Sequence, residues 1–135
     1  METGLAAAYA DGGFILANKR NHWSALRLDV PAVAVTVWAD QIIKDSEPWI
    51  MDVTANRSLS DWTKRPGNTV RKGHILYGIE NCNGQFDLIL LRAKDPKEEP
   101  RSVASARYCK ERRGILISNS FNQQTGEFKL SLVPR

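Results

Sequence analysis

Residues 74–92 read HILYGIENCNGQFDLILLR, two apolar runs joined at Asn83-Gly84. Asn-Gly readily takes the positive φ angles of a type I′ turn, so the stretch predicts a β-hairpin with strands over 74–82 and 85–92. A two-residue loop sets Cys82 opposite Gln85, Ile79 opposite Leu88 and Tyr77 opposite Leu90. Tyr77, Ile79, Phe86, Leu88 and Leu90 then share one face, as cross-strand packing requires. A slip of one residue in either strand would turn its apolar set away from the core. On the other face Glu80 and Asp87 sit near the turn, and Leu76, Ile89 and Leu91 lie far from it.

Working outward, the same alternation recurs. Leu26, Leu28 and Val30 alternate with Arg27 and Asp29, the period of a half-buried strand. Beyond Pro31, Val33, Val35 and Val37 face one way and Ala34, Thr36 and Trp38 the other, and so many β-branched side chains disfavour a helix. Phe14–Ala17 and Pro48–Val53 read as further strands. A polar turn follows at Asn18–Asn21, and Asp40 to Glu47 reads as a turn or short helix. Ser58 caps a helical turn through Trp62 that Pro66-Gly67-Asn68 ends. Past a charged loop over Asp95–Pro100, Ser102 caps a predicted helix from Val103 to Arg113, with Gly114 as its stop. Residues 115–121 and 127–132 form a last hairpin, and residues 1–12 a loose arm or single helical turn.

The expected fold is mainly β (β-rich α+β): a small barrel or sandwich of about seven or eight short antiparallel strands with one or two short helices. At 135 residues, 42% apolar and 25% charged, the chain suits one domain (1–135) whose core forms without staples. Leu132-Val133-Pro134-Arg135 resembles the thrombin site used to remove purification tags, so those four residues are set aside.

The net charge of +4 is unevenly placed. Residues 1–62 carry 5 basic and 8 acidic side chains, or −3; residues 63–135 carry 14 and 7, or +7. The second half therefore suits an acidic partner such as nucleic acid, against the plainer reading of a solvated surface. The segment from Lys64 to His74 places Lys64, Arg65, Arg71 and Lys72 around Gly67 and Gly73, a combination suited to phosphate. It lacks the spacing of a P-loop. Trp62 beside it is a candidate platform for stacking a base. Lys110, Arg112 and Arg113 form an auxiliary cluster, although the dipole of a helix C-terminus also accounts for them.

No catalytic residue, metal ligand or cofactor is assigned. His22 and His74 have no ligand spacing, Cys109 in a cationic helix is a weak nucleophile candidate, and Glu80 with Asp87 reads as a solvated hairpin tip. Cys82 and Cys109 read as reduced thiols, because Ala8-Tyr9-Ala10 lacks the flanks of an export signal. Asn56-Arg57-Ser58 fits a glycosylation acceptor, relevant only to an exported chain. No apolar run nears the roughly 18 residues of a membrane span, so the expectation is a cytoplasmic protein without a membrane partner.

The leading functional reading is a non-enzymatic module binding an anionic partner, such as single-stranded nucleic acid, through its basic half. Its rival is a β-barrel whose tryptophans (Trp23, Trp38, Trp49, Trp62) line a small-molecule pocket, with His74 or Cys109 available for chemistry. The third is an interaction protein that uses a strand edge to form a homo-oligomer.

Overall fold

The computed structural model describes residues 4–16, 22–98 and 101–135. At its centre the valine-rich run forms β2 (Ala32–Trp38), beside the shorter β1 (Ser24–Arg27). Every residue from Val33 to Val37 is buried, so the strand needs a covering layer on each face. Val33, Val35 and Val37 join a core with Met51, Trp62, Ile75, Phe86 and Phe128. Ala34 faces a second core with Leu5, Tyr9, Phe14, Ile89 and Leu91.

The N-terminal arm is part of that second core. Leu5–Asp11 is a helix, α1, whose Leu5, Ala8 and Tyr9 are buried. Phe14 packs edge-on against Tyr9 at 6.5 Å, and residues 14–16 form no strand. The remainder of the expected Phe14–Ala17 strand and the Asn18–Asn21 turn lie outside the described residues.

The hairpin expected at Asn83-Gly84 is corrected. Residues Pro66–Asn81 form a second helix, α2, and Asn83 and Gly84, at φ 54° and 70°, turn the chain into β5 (Gln85–Ala93). The dipeptide adopts the left-handed angles it favours, but between a helix and a strand. What misleads is the helix's buried stripe: Gly67, Arg71, Ile75 and Gly78, at helical spacing, contain one large apolar side chain. Pro66 begins this helix instead of ending the preceding turn, since its missing N–H would have no helical partner there.

β5 pairs with β2 in parallel, Ala34 opposite Asp87 and Val37 opposite Leu90. Parallel neighbours need a long crossover, and residues 39–84 provide it with β3 (Ile42–Ile43), β4 (Trp49–Asp52) and α2. Phe86 and Leu88 face the first core, as the sequence pattern predicts.

The helix expected over 103–113 is two strands, β6 (Val103–Tyr108) and β7 (Arg112–Leu116). Both run antiparallel to β5: Ile89 lies opposite Tyr108 and Phe86 opposite Gly114. Three steps along β5 (89 to 86) answer six along the partner (108 to 114), so Cys109–Glu111 bulges out. Favourable helix-end charges contribute about 0.3–1 kcal/mol, too little to outweigh pairing this whole segment with β5. Gly114 stops no helix; it lets Leu88 and Leu130 close over it.

β8 (Lys129–Pro134) pairs with β7 and β4, giving the order β1-β2-β5-β7-β8-β4-β3 with β6 also on β5. The fold is mainly β, with eight strands in one sheet and two α-helices among the described residues, but the sheet stays open where a closed barrel was one expectation. Leu132 is buried in β8, and Arg135 Nη2 lies 3.1 Å from Asp87 Oδ1, so the tag-like end has a structural role. Cys82 and Cys109 are not bridged. Among the described residues no helix is long and apolar enough to cross a membrane.

Candidate anion-binding site

Arg71 occupies the buried stripe of α2, one turn before Ile75, where helical spacing dictates a core position. Three aromatic faces surround its guanidinium: Trp23 at 4.9 Å, Phe128 at 5.1 Å and Trp62 at 5.4 Å. It makes no hydrogen bond or ion pair with a described residue, and its buried Nε has no partner. Burial, then the positive charge of Arg57, pushes its pKa down to about 9. Each cation–π contact returns about 0.5–2 kcal/mol, against several kcal/mol for desolvating the ion.

A cavity of about 70 Å³ lies beside this group. Arg57, Arg65 and Arg101 line it together with Arg71, and among the described residues no aspartate or glutamate does. Trp23, Trp38, Val53, Leu91 and Val103 supply apolar wall. Arg57 comes from the turn after β4, Arg65 immediately precedes α2, and Arg101 precedes β6. Arg101 donates two hydrogen bonds to the Asp40 carboxylate, both 2.8 Å, and its guanidinium lies 5.3 Å from the Trp38 ring.

The aromatic side of the site is held by backbone contacts. Thr36 donates to the Trp23 carbonyl through both its N–H and its hydroxyl, at 2.9 and 3.0 Å. The Tyr9 hydroxyl donates to the His22 carbonyl at 2.7 Å, and burial raises that phenol far above its ordinary pKa. Asn68 Nδ2 donates to the carbonyls of Thr63 and Thr125, tying the start of α2 to the loop that leads into Phe128. His22 also lines the cavity, and burial lowers its pKa.

Of the cations singled out in the sequence, the fold brings Arg65 and Arg71 together and disperses the rest. Lys64 is exposed, Lys72 donates to the Gln124 carbonyl at 3.3 Å, and Lys110 is exposed on the bulge. Arg112 pairs with Glu47 at 2.7 Å and stacks on Trp49 at 3.7 Å. Arg113 donates to Gln85 at 2.7 Å. Trp62 is 1% exposed and packs in the core, which corrects its assignment as a stacking platform. Arg57 and Arg101 were missed because neither belongs to a basic run; only the fold puts them beside Arg71.

The catalytic candidates are placed differently again. Ser24 Oγ and His74 Nδ1 are 2.7 Å apart, but Ser24 is 2% exposed and no described carboxylate bonds the imidazole, so the pair lacks the geometry of a nucleophilic triad. Glu80 lies on α2 and Asp87 on β5, so they are not cross-strand neighbours. Cys82 borders an open depression of about 370 Å³ with Asp87 and Arg113; burial, then the Asp87 charge, raises its pKa away from the reactive thiolate. Cys109 is buried in the bulge rather than on a cationic helix. Among the described residues no group of three or more His, Cys, Asp or Glu side chains is placed to hold a metal. Comparisons with protein-family models, with curated proteins and with solved structures return no match.

Proposed function

We propose that this protein is a binding module for an anionic group, which Arg71 grips in the arginine-lined cavity. One observation carries the reading: a buried guanidinium with an unpartnered Nε and, among the described residues, no carboxylate beside it. An uncompensated buried charge is costly, and folds retain one mainly where something else supplies the counter-charge. A cavity of about 70 Å³ is far below the roughly 300 Å³ that holds a drug-sized molecule, which favours a small anionic group over the aromatic-pocket alternative. Nucleic acid belongs to this reading as a source of phosphate, without base stacking on Trp62. The free thiols of Cys82 and Cys109 support a cytoplasmic setting.

Calorimetric titration with phosphate, sulfate and acetate tests the proposal. At least one should bind, and at a hundred times its Kd should stabilise the fold by about 2.7 kcal/mol. Arg71→Met should abolish that binding, while Lys110→Ala retains it. No binding by any of the three, or binding unchanged in Arg71→Met, overturns the proposal.

A further inference from the structure

Resting on that reading, we infer that the anion held at Arg71 is a free short-chain monocarboxylate, its carboxylate on the Arg71 fork and its hydrocarbon tail against the tryptophan wall. Arg71 is 5% exposed and lines the cavity with a guanidinium that no described carboxylate answers. The neighbouring arginines are already committed. Arg101 donates through both terminal nitrogens to Asp40, and Arg57 and Arg65 each take part in another interaction. The Thr36 hydroxyl donates its proton to the Trp23 carbonyl. Burial favours the neutral form of His22, which then has a single ring N–H to offer. An occupant therefore meets one free guanidinium and at most one imidazole N–H.

That supply of donors decides between anions. A carboxylate has one negative charge and two coplanar oxygens, which a single guanidinium satisfies through two parallel hydrogen bonds. A phosphomonoester carries about −1.5 to −2 at pH 7 and spreads three oxygens tetrahedrally, so one fork leaves charge and oxygens unanswered in a buried site. Because Arg71 Nε is sealed away, the carboxylate meets the terminal nitrogens end-on. Trp23, Trp38, Val53, Leu91 and Val103 make much of the wall apolar, which suits a hydrocarbon tail and lowers the local dielectric around the ion pair. The space of about 70 Å³ has room for a few waters, about the bulk of a carboxylate bearing one or two further carbons.

Calorimetric titration of the full chain would compare acetate, propionate, octanoate, propionamide and orthophosphate. Propionate should bind about threefold tighter than acetate, as burial of one more methylene predicts. It should bind at least tenfold tighter than orthophosphate, or than octanoate, whose tail exceeds the cavity. Propionamide, of the same shape without the charge, should not bind. Arg71→Lys, which keeps the charge but loses the fork, should weaken propionate binding at least tenfold. The ligand comparison on the unaltered protein stands even where that variant fails to fold. Orthophosphate or octanoate matching propionate, or propionate binding unchanged in Arg71→Lys, overturns this inference and leaves the anion-binding reading standing. Propionamide matching propionate, or no binding by any anion, removes both.

Discussion

The guanidinium of Arg71 lies 4.9 Å from the ring of Trp23, a cation set on an aromatic face with no described carboxylate in attendance. Its pKa is lowered first by burial and then by the positive charge of Arg57, so the folded state disfavours the charged form. Arg71→Met, similar in length and uncharged, should therefore stabilise the unliganded protein by about 1–3 kcal/mol, as replacing buried ionic groups often does. Urea denaturation checks this; a lower midpoint for the variant would show that the cation is structural.

Trp23 itself rests on α2 where Gly67 leaves room. A Cβ at Gly67 would lie 2.5 Å from Trp23 Cδ2, whereas one at Gly73 meets nothing within 4 Å. Gly67→Ala should cost about 1–3 kcal/mol by forcing the indole aside. Gly73→Ala, exposed on the same helix, should gain about 0.4–1 kcal/mol by restricting the unfolded chain. Opposite signs for two like substitutions, read from thermal midpoints, would establish the contact.

Burial lowers the pKa of both His22 and His74 below the ordinary 6.5. The native state then binds fewer protons than the unfolded chain, so stability is fully present above 6.5 and falls as the pH drops through that value. The paired carboxylates Asp29 and Glu47 have lowered pKa values and act only in more acidic solution. Urea midpoints between pH 7.5 and 5.5 should decline, and His74→Gln should flatten the decline; equal slopes would exclude His74 as a contributor.

Cys82 is partly exposed with a raised pKa, and Cys109 is 4% exposed. In the native protein at neutral pH, Cys82 should alkylate more slowly than a free thiol and Cys109 more slowly still. Both should react fully in denaturant without reductant. Mass spectrometry of iodoacetamide-treated samples reads the result, and a missing label in the unfolded chain would contradict two free thiols.

The strands were legible where side chains alternate for packing reasons. Val33, Val35 and Val37, and Phe86 with Leu88, occupy the core faces that their spacing assigns. The helix α2 was hidden because glycines and an arginine form most of its buried stripe, a pattern that carries no apolar period. The bulged strand over 103–116 was hidden because Ser102, Gly114 and the basic residues between them carry local helix signals that long-range pairing with β5 overrides. Half of the site was legible for a related reason. Arg65 and Arg71 are neighbours in a basic run, while Arg57 and Arg101 reach the cavity from loops that only the sheet brings together.

The parallel pairing of β2 with β5 sets the order in which this chain acquires structure. Ala34 waits for Asp87, and Trp49 waits for Leu132, before either ladder closes. Local hairpins such as β1–β2 form early, but the central contacts join distant parts of the chain and carry the entropy of long loops. β4 keeps one edge unpaired until residues 129–134 reach it, so that ladder closes only across a long loop.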